Sequence, residues 1–409
     1  MPNYTPGLAY GPGTVDWQRR VEPDELRRQR AGRAQAVLQE NGIAAVLAGG
    51  QEYRRYLSGL SGPEFAPALW YVLFTARGET VSFMHAGYIM RAPEDSPWVS
   101  EWRIARSWLR GAPGVAASVH ESRVFAADVK AELQRLGILD ERIAIAGFDQ
   151  YAWNALGDAG INITPGDPLL HEAMAVKTPM EIECFKMAGA ITDRVWSTIA
   201  RNVRAGMTDG EASALASAAG ASAGADSTPV GFRAGPLVAE RGIRGTNQIL
   251  LPGQLAIVNA CGTSFLGYKS CVYRTFAIDR EPSSEETKWM TSLQERLGAV
   301  IDLLRPGRET GEAAMQFPPA TTWGLQDEVE VLTMEIGHGI GLHQYEQPII
   351  NRQWSPQFPQ EIQEGMVIAV EGREGRPGDA TVRLENMVVV TEDGPLVIDR
   401  YPATITPLG

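Results

Sequence analysis

The stretch IGHGIGLHQYEQP, residues 336–348, sets a histidine between two glycines and ends on Glu-x-Pro. Glycine on both sides of His338 lets other backbone come close and leaves the ring presented to a metal ion or a substrate. One histidine cannot make a metal site, so its chemistry depends on what the rest of the chain brings to it. His343 follows five residues later in a glycine turn, which is not the spacing of a helical metal pair. It reads as a solvent-facing or supporting histidine. No Gly-x-Ser-x-Gly, Walker or Cys-x-x-Cys pattern occurs, so serine hydrolase, NTPase and zinc-finger chemistry lack a motif. No cofactor is expected.

The elements that must hold this histidine can be read from patterning. Pro23 to Asn41 reads as a helix stopped by Asn41-Gly42. IAAVLAGG (43–50) reads as a buried strand. WYVLFTA, TVSFMHA, a helix near 125–136 and RIAIAGFD continue an alternation that predicts an α/β layer domain over residues 1–172. A second domain is expected over 173–409. Thr178-Pro-Met-Glu181 is a capping box with proline at the first helical position, and it opens a long amphipathic helix. A second helix follows at 211–224, then strands, a helix from about Ser284 to Leu304, and a short helix after Thr310. VLTMEIG, GMVIAVEG and ATVRLENMVVVTEDG predict a strand-rich end to the chain.

With 409 residues the chain exceeds what one core usually supports. A formal net charge of −12 argues against nucleic acid or an anionic membrane as partner. No apolar run reaches the roughly 18 residues of a membrane span. Three cysteines give no disulfide framework, and with no secretory signal visible a reducing cytoplasm is the expected location.

The order of elements, together with GYKSCVYRTF (267–276), GHGIGLHQYEQP (337–348), EGMVIAVEG (364–372) and RLENMVVVTEDG (383–394), resembles the pita-bread family. That family contains creatinase, aminopeptidase P, prolidase and methionine aminopeptidase. EYRRYLSGLSG (52–62) resembles its creatinase-type N-terminal domain, and AVKTPMEIECFKMAGAITD (175–193) its linker and first catalytic helix. The resemblance implies an α/β N-terminal domain followed by an α+β pita-bread domain. It also implies a homodimer in which one subunit's N-terminal domain completes its neighbour's site.

The family's metallopeptidases hold two metal ions with two aspartates, a histidine and two glutamates. Read across, His338, Glu371 and Glu385 take the histidine and glutamate places. The aspartate places fall on Ala260 and Cys271. Alanine has no ligand atom, and a thiolate is a soft donor unsuited to manganese-type sites. A single zinc on Cys271, His338, Glu371 and Glu385 remains chemically possible. The family's histidine before the first aspartate strand is also missing, its place taken by Arg241 or Gly242. Tyr345 stands where His-Glu-x-Pro would put another.

Without cations, two facing carboxylates repel and one should hold a proton, giving an acid/base pair with His338 alongside. Tyr345 could donate to a developing oxyanion. Cys271 is either a thiolate nucleophile near His338 or a small buried strand residue. Cys261 and Cys184 read as core. Arg54 and Arg55 are candidates to clamp a substrate carboxylate, with Arg241, Tyr268 and His343 as further substrate contacts. Arg383, two residues before Glu385, is expected to orient the carboxylates. The reading is a metal-independent, creatinase-like hydrolase or lyase cleaving a C–N or similar bond in a small carboxylate-bearing substrate. The alternatives are an Xaa-Pro peptidase-like metalloenzyme with substitute ligands and a non-catalytic binding protein.

Overall fold

The computed structural model describes residues 21–60, 70–90, 92–235, 247–376 and 380–409. The chain divides into two compact units, Pro23–Met174 and Ala175–Gly409. The first contains a six-stranded sheet in the spatial order Glu101–Ile104, Thr80–Met84, Trp70–Thr75, Ala45–Ala48, Ile143–Ala146, Ile163–Pro165. Trp70–Thr75 runs antiparallel to both neighbours, and the other pairings are parallel. Ala45–Ala48 and Ile143–Ala146 are buried at every position, which is why they read as continuous apolar runs rather than alternating ones. Leu47, Tyr71, Phe83 and Ile145 join Phe125, Val129 and Leu133 of the Val115–Arg135 helix in one core.

The second unit opens on the expected capping box. Thr178 Oγ1 accepts from Glu181 N, and Glu181 Oε2 accepts from Thr178 N, starting the Pro179–Asn202 helix. A second box, Thr208 with Glu211, starts Asp209–Ser222. A four-stranded sheet carries Leu255–Asn259 and Tyr273–Ile278 side by side. A five-stranded antiparallel sheet runs Glu346–Ile350, Ile336–Gly339, Val367–Gly375, Thr381–Thr391, Gly394–Val397. Met290, Leu293, Leu297 and Val300 of the Ser284–Asp302 helix share a core with Ile368, Val370, Val382 and Leu384 of that sheet.

One expected strand is shorter than its hydrophobic pattern. VLTMEIG begins in a 3₁₀ turn, Glu328–Val331, and the strand starts only at Ile336. Asp327 and Glu330 form a local capping box that competes with extension.

The two sheets are tied together behind the long hairpin. Arg274 Nη1 donates to the Glu385 carbonyl at 2.6 Å, and its Nη2 meets Asp399 Oδ2 at 2.5 Å. Asp399 also accepts from the Asn386 side chain and from Met387 N.

Glu335 sits at the foot of the histidine strand, 3% exposed. Burial pushes its carboxyl up to about 8, although Arg296, Arg373 and Arg383 pull the other way. A raised pKa means that its protonated form stabilises the fold below the ordinary carboxylate value of 4.5, and that this contribution is lost as pH rises through about 8. Glu335→Gln should therefore gain stability over the wild type as pH rises from about 5 to about 9, read from urea midpoints. Parallel pH profiles for the two proteins would contradict this.

Candidate functional site

The register of the five-stranded sheet places the polar cluster. Glu371 stands directly opposite Glu385, and His338 opposite Ala369, two residues along on the same face as Glu371. Like charges directly opposed across a sheet are destabilising, so this pair needs compensation. Arg383, two residues from Glu385, supplies part of it: its Nη2 lies 2.6 Å from Glu371 Oε2, with both side chains buried. The contact holds one Glu371 oxygen in place. Its guanidinium, also held over the Tyr273 ring at 4.4 Å, is driven further toward the charged form: burial opposes this, but Glu371 outweighs it.

His338 supplies the rest. Its Nδ1 lies 3.0 Å from the Gly339 carbonyl, which can only accept, so that nitrogen carries a proton. Nε2 then faces Glu385 Oε1 at 3.7 Å. Burial pulls the imidazole pKa down, but Glu385 and Glu371 outweigh it and the net direction is up. Among the described residues His338 Nε2 and Glu385 Oε1 are buried and make no hydrogen bond. The ligand atoms of His338, Glu371 and Glu385 lie within 4.8 Å of one another, all three residues buried.

The glycines around His338 serve close approach. A Cβ on Gly339 would meet Gln347 O at 2.1 Å, and one on Gly341 would meet the Glu346 carboxylate at 2.1 Å. Their absence lets the 346–350 strand fold back over the histidine through an irregularity in register between His338 and Gly339. Tyr345, 41% exposed, lies against the imidazole with ring centroids 4.4 Å apart. Just behind it Glu346 is buried against Lys177 and accepts from His343 N at 3.0 Å. Burial would raise the Glu346 carboxyl, but Lys177 outweighs it and takes it down to about 2. His343 Nδ1 is 3.8 Å from Glu346, placing this half-buried histidine beside that buried pair.

Cys271 and Cys261 occupy the other side of Glu385. Cys261 Sγ lies 3.4 Å from Glu385 Oε2, and both sulfurs come within 4.8 Å of the carboxylate and each other. Burial pushes the Cys261 thiol up to about 11 and the Cys271 thiol well above its ordinary value, so neither is a ready thiolate. The four donors considered for a single zinc do not form one group: Cys271 groups with Cys261 and Glu385, and His338 with Glu371 and Glu385.

A dinuclear centre of hard cations does not fit these residues. The places that the resemblance gives to the two aspartates hold Ala260, fully buried and without a donor atom, and Cys271, whose sulfur is a soft donor.

Two of the expected substrate contacts are structural. Tyr268 is 1% exposed and donates to Glu181 Oε1 at 3.0 Å, closing the free oxygen of the capping box. Arg54 is 4% exposed, donates to the Gly50 and Trp70 carbonyls, and stacks on the Trp70 ring at 4.6 Å. Its neighbour Arg55 is half-buried on the Gln51–Ser58 helix. Arg241 lies outside the described residues. Sequence reasoning missed Cys261 as a site residue. The only signal was its ten-residue offset from Cys271 around a Gly-containing turn, which has meaning once the pairing register is known.

The family model described as Metallopeptidase family M24 matches residues 183–392. A Mycobacterium tuberculosis protein described as a probable dipeptidase, PepE, is 30% identical over 237 residues. The match spans 57% of this chain and 61% of that protein, less than two thirds of its length. Among solved structures, an Xaa-Pro dipeptidase from Bacillus anthracis superposes with a TM-score of 0.74 at 21% identity, over 93% of this chain and all of that one. Dipeptidase PepE from Mycobacterium ulcerans gives 0.73 at 23% identity, over 95% of this chain and 100% of its own. At these identities the superpositions establish the fold, an N-terminal α/β unit with a pita-bread unit behind it in sequence.

Proposed function

Since the chain belongs to metallopeptidase family M24, we propose that it is a hydrolase of small amino-acid-like substrates, cleaving a C–N bond without the family's dinuclear metal centre. The observation that carries this reading is the cluster itself: His338, Glu371 and Glu385 brought together in the core while Ala260 and Cys271 stand in the aspartate places. Buried carboxylates are costly to keep, and a decayed site has no need of them. With Arg383 and a protonated His338 as cations, the two carboxylates are balanced by the chain's own charges.

In this mechanism Glu385 and His338 share the proton work. Glu385 takes a proton from the attacking water while Glu371 stays ionised under Arg383. His338 returns a proton to the leaving nitrogen. We assign to Tyr345, whose ring lies 4.4 Å from that of His338, the hydrogen bond donated to the developing oxyanion. The substrate carboxylate is assigned to Arg55 or Arg241, with Arg55 supplied by the N-terminal unit of a second subunit in a homodimer.

A second reading, a dipeptidase using substitute metal ligands, is favoured by what the Mycobacterium relative is described as. Elimination from the same substrates is the lyase variant of the first reading. One assay separates them. Chelator-treated protein is offered N-acylated and cyclic amidine amino acids beside Xaa-Pro dipeptides, with products identified by mass spectrometry. Hydrolysis of the first group by metal-free protein is the expected result. Turnover confined to dipeptides and dependent on added metal would replace the first reading by the second.

A further inference from the structure

Cys261 and Cys271 face one another across a short antiparallel pairing. Ala260 N donates to Val272 O at 3.0 Å on one side of them, and Gly262 N to Ser270 O at 2.7 Å on the other. Side chains flanked in this way lie close on one face of the ribbon. Cys271 is 5% exposed and Glu385 fully buried. Glu385 turns one oxygen to Cys261 at 3.4 Å, while its other oxygen has no hydrogen-bond partner among the described residues.

We infer that Cys261, Cys271 and Glu385 form a binding site for one thiophilic divalent cation of the zinc class, whose occupancy shuts off the acid/base cluster. Two sulfurs and a carboxylate oxygen within 4.8 Å of one another are three ligands of a tetrahedral ion, each thiol giving up its proton to solvent as the ion binds. The sulfur pair selects against magnesium, calcium and manganese, which take oxygen shells. The cation belongs on the sulfur side of Glu385, because on the other side Arg383 already holds Glu371 at 2.6 Å. An ion bound there through Glu385 Oε2 draws on the charge of that carboxylate, lowers the basicity of the oxygen facing His338 and so removes the base. The inhibitory consequence rests on the hydrolase reading above; the binding site does not.

The test uses reduced, chelator-stripped full-length protein titrated with Co²⁺ as a spectroscopic probe and with Zn²⁺ by calorimetry. Expected are one ion per chain, a thiolate-to-cobalt charge-transfer band that zinc abolishes, and no comparable uptake of Mn²⁺. Cys261→Ser and Cys271→Ser should each weaken zinc binding by more than about tenfold, while Cys184→Ser leaves the band intact. Absence of the band in the wild type, or binding that survives both serine replacements, overturns the site whatever the variants' folding. Turnover by metal-free protein that stoichiometric zinc stops and chelator restores supports the inhibitory role. Turnover unaffected by bound zinc overturns that role. A cobalt band in a protein with no turnover would leave the site standing and defeat the hydrolase reading instead.

Discussion

Glu385→Gln is expected to lower kcat by about 10²–10⁴-fold while leaving the unfolding midpoint within error of the wild type. Glutamine keeps the volume and still accepts from Cys261, and it relieves the opposition between Glu385 and Glu371. What it removes is the oxygen that faces His338 Nε2 without another partner among the described residues. Glu371→Gln should behave differently. It also lowers turnover, but it strips Arg383 of its buried partner and so costs stability as well. Steady-state kinetics on the substrate found in the panel assay, beside thermal unfolding of both variants, gives the comparison. Equal turnover by Glu385→Gln and wild type would remove Glu385 from the chemistry.

The second large effect is on the fold beneath the site. Lys177→Met should cost about 3–5 kcal/mol, because it leaves the Glu346 carboxylate buried with its cation gone. Lys177→Met/Glu346→Gln should recover most of that loss, since neither residue then carries an uncompensated charge. The sign of the pH dependence is fixed by Glu346, whose pKa is depressed to about 2. The stabilisation is present above the ordinary value of 4.5 and disappears as pH falls through about 2, so wild type and Lys177→Met should converge in acid. Denaturant unfolding of the three proteins across that range would show it. Additive losses in the double variant would mean that the two groups do not depend on each other.

How far these features could be read from the sequence follows from how local they are. The capping box at Thr178 and the glycines around His338 are signals carried by adjacent residues, and each meets the role its chemistry requires. Glu371 and Glu385 were legible through resemblance, and the sheet register adds why both point one way. Partners far apart in the chain were not legible. Lys177 and Glu346 are 169 residues apart, and nothing near either announces a buried pair. Tyr268 and Arg54 look like binding residues by type, but type does not say whether a hydroxyl or guanidinium is already satisfied inside the protein. Glu181 and the Gly50 and Trp70 carbonyls are those internal partners. VLTMEIG misled because an apolar run says nothing of a nearby Asp-x-x-Glu that caps a turn.

The pairing of Glu371 with Glu385 also makes the site cooperative with its own scaffold. Side chains alternate across a strand, so a slip of one residue between Val367–Gly375 and Thr381–Thr391 would turn Glu385 to the far face and carry Arg383 with it. Base and counter-ion are therefore gained or lost in a single step, never one without the other. Any molecule that engages Glu385 binds only the correctly paired hairpin, and by linkage it holds that pairing in place. The Arg274–Asp399 pair, grasping Glu385 and Met387 by their backbone, does the same from the opposite side. The hairpin is thus latched from within by its own core and from without by whatever it acts upon.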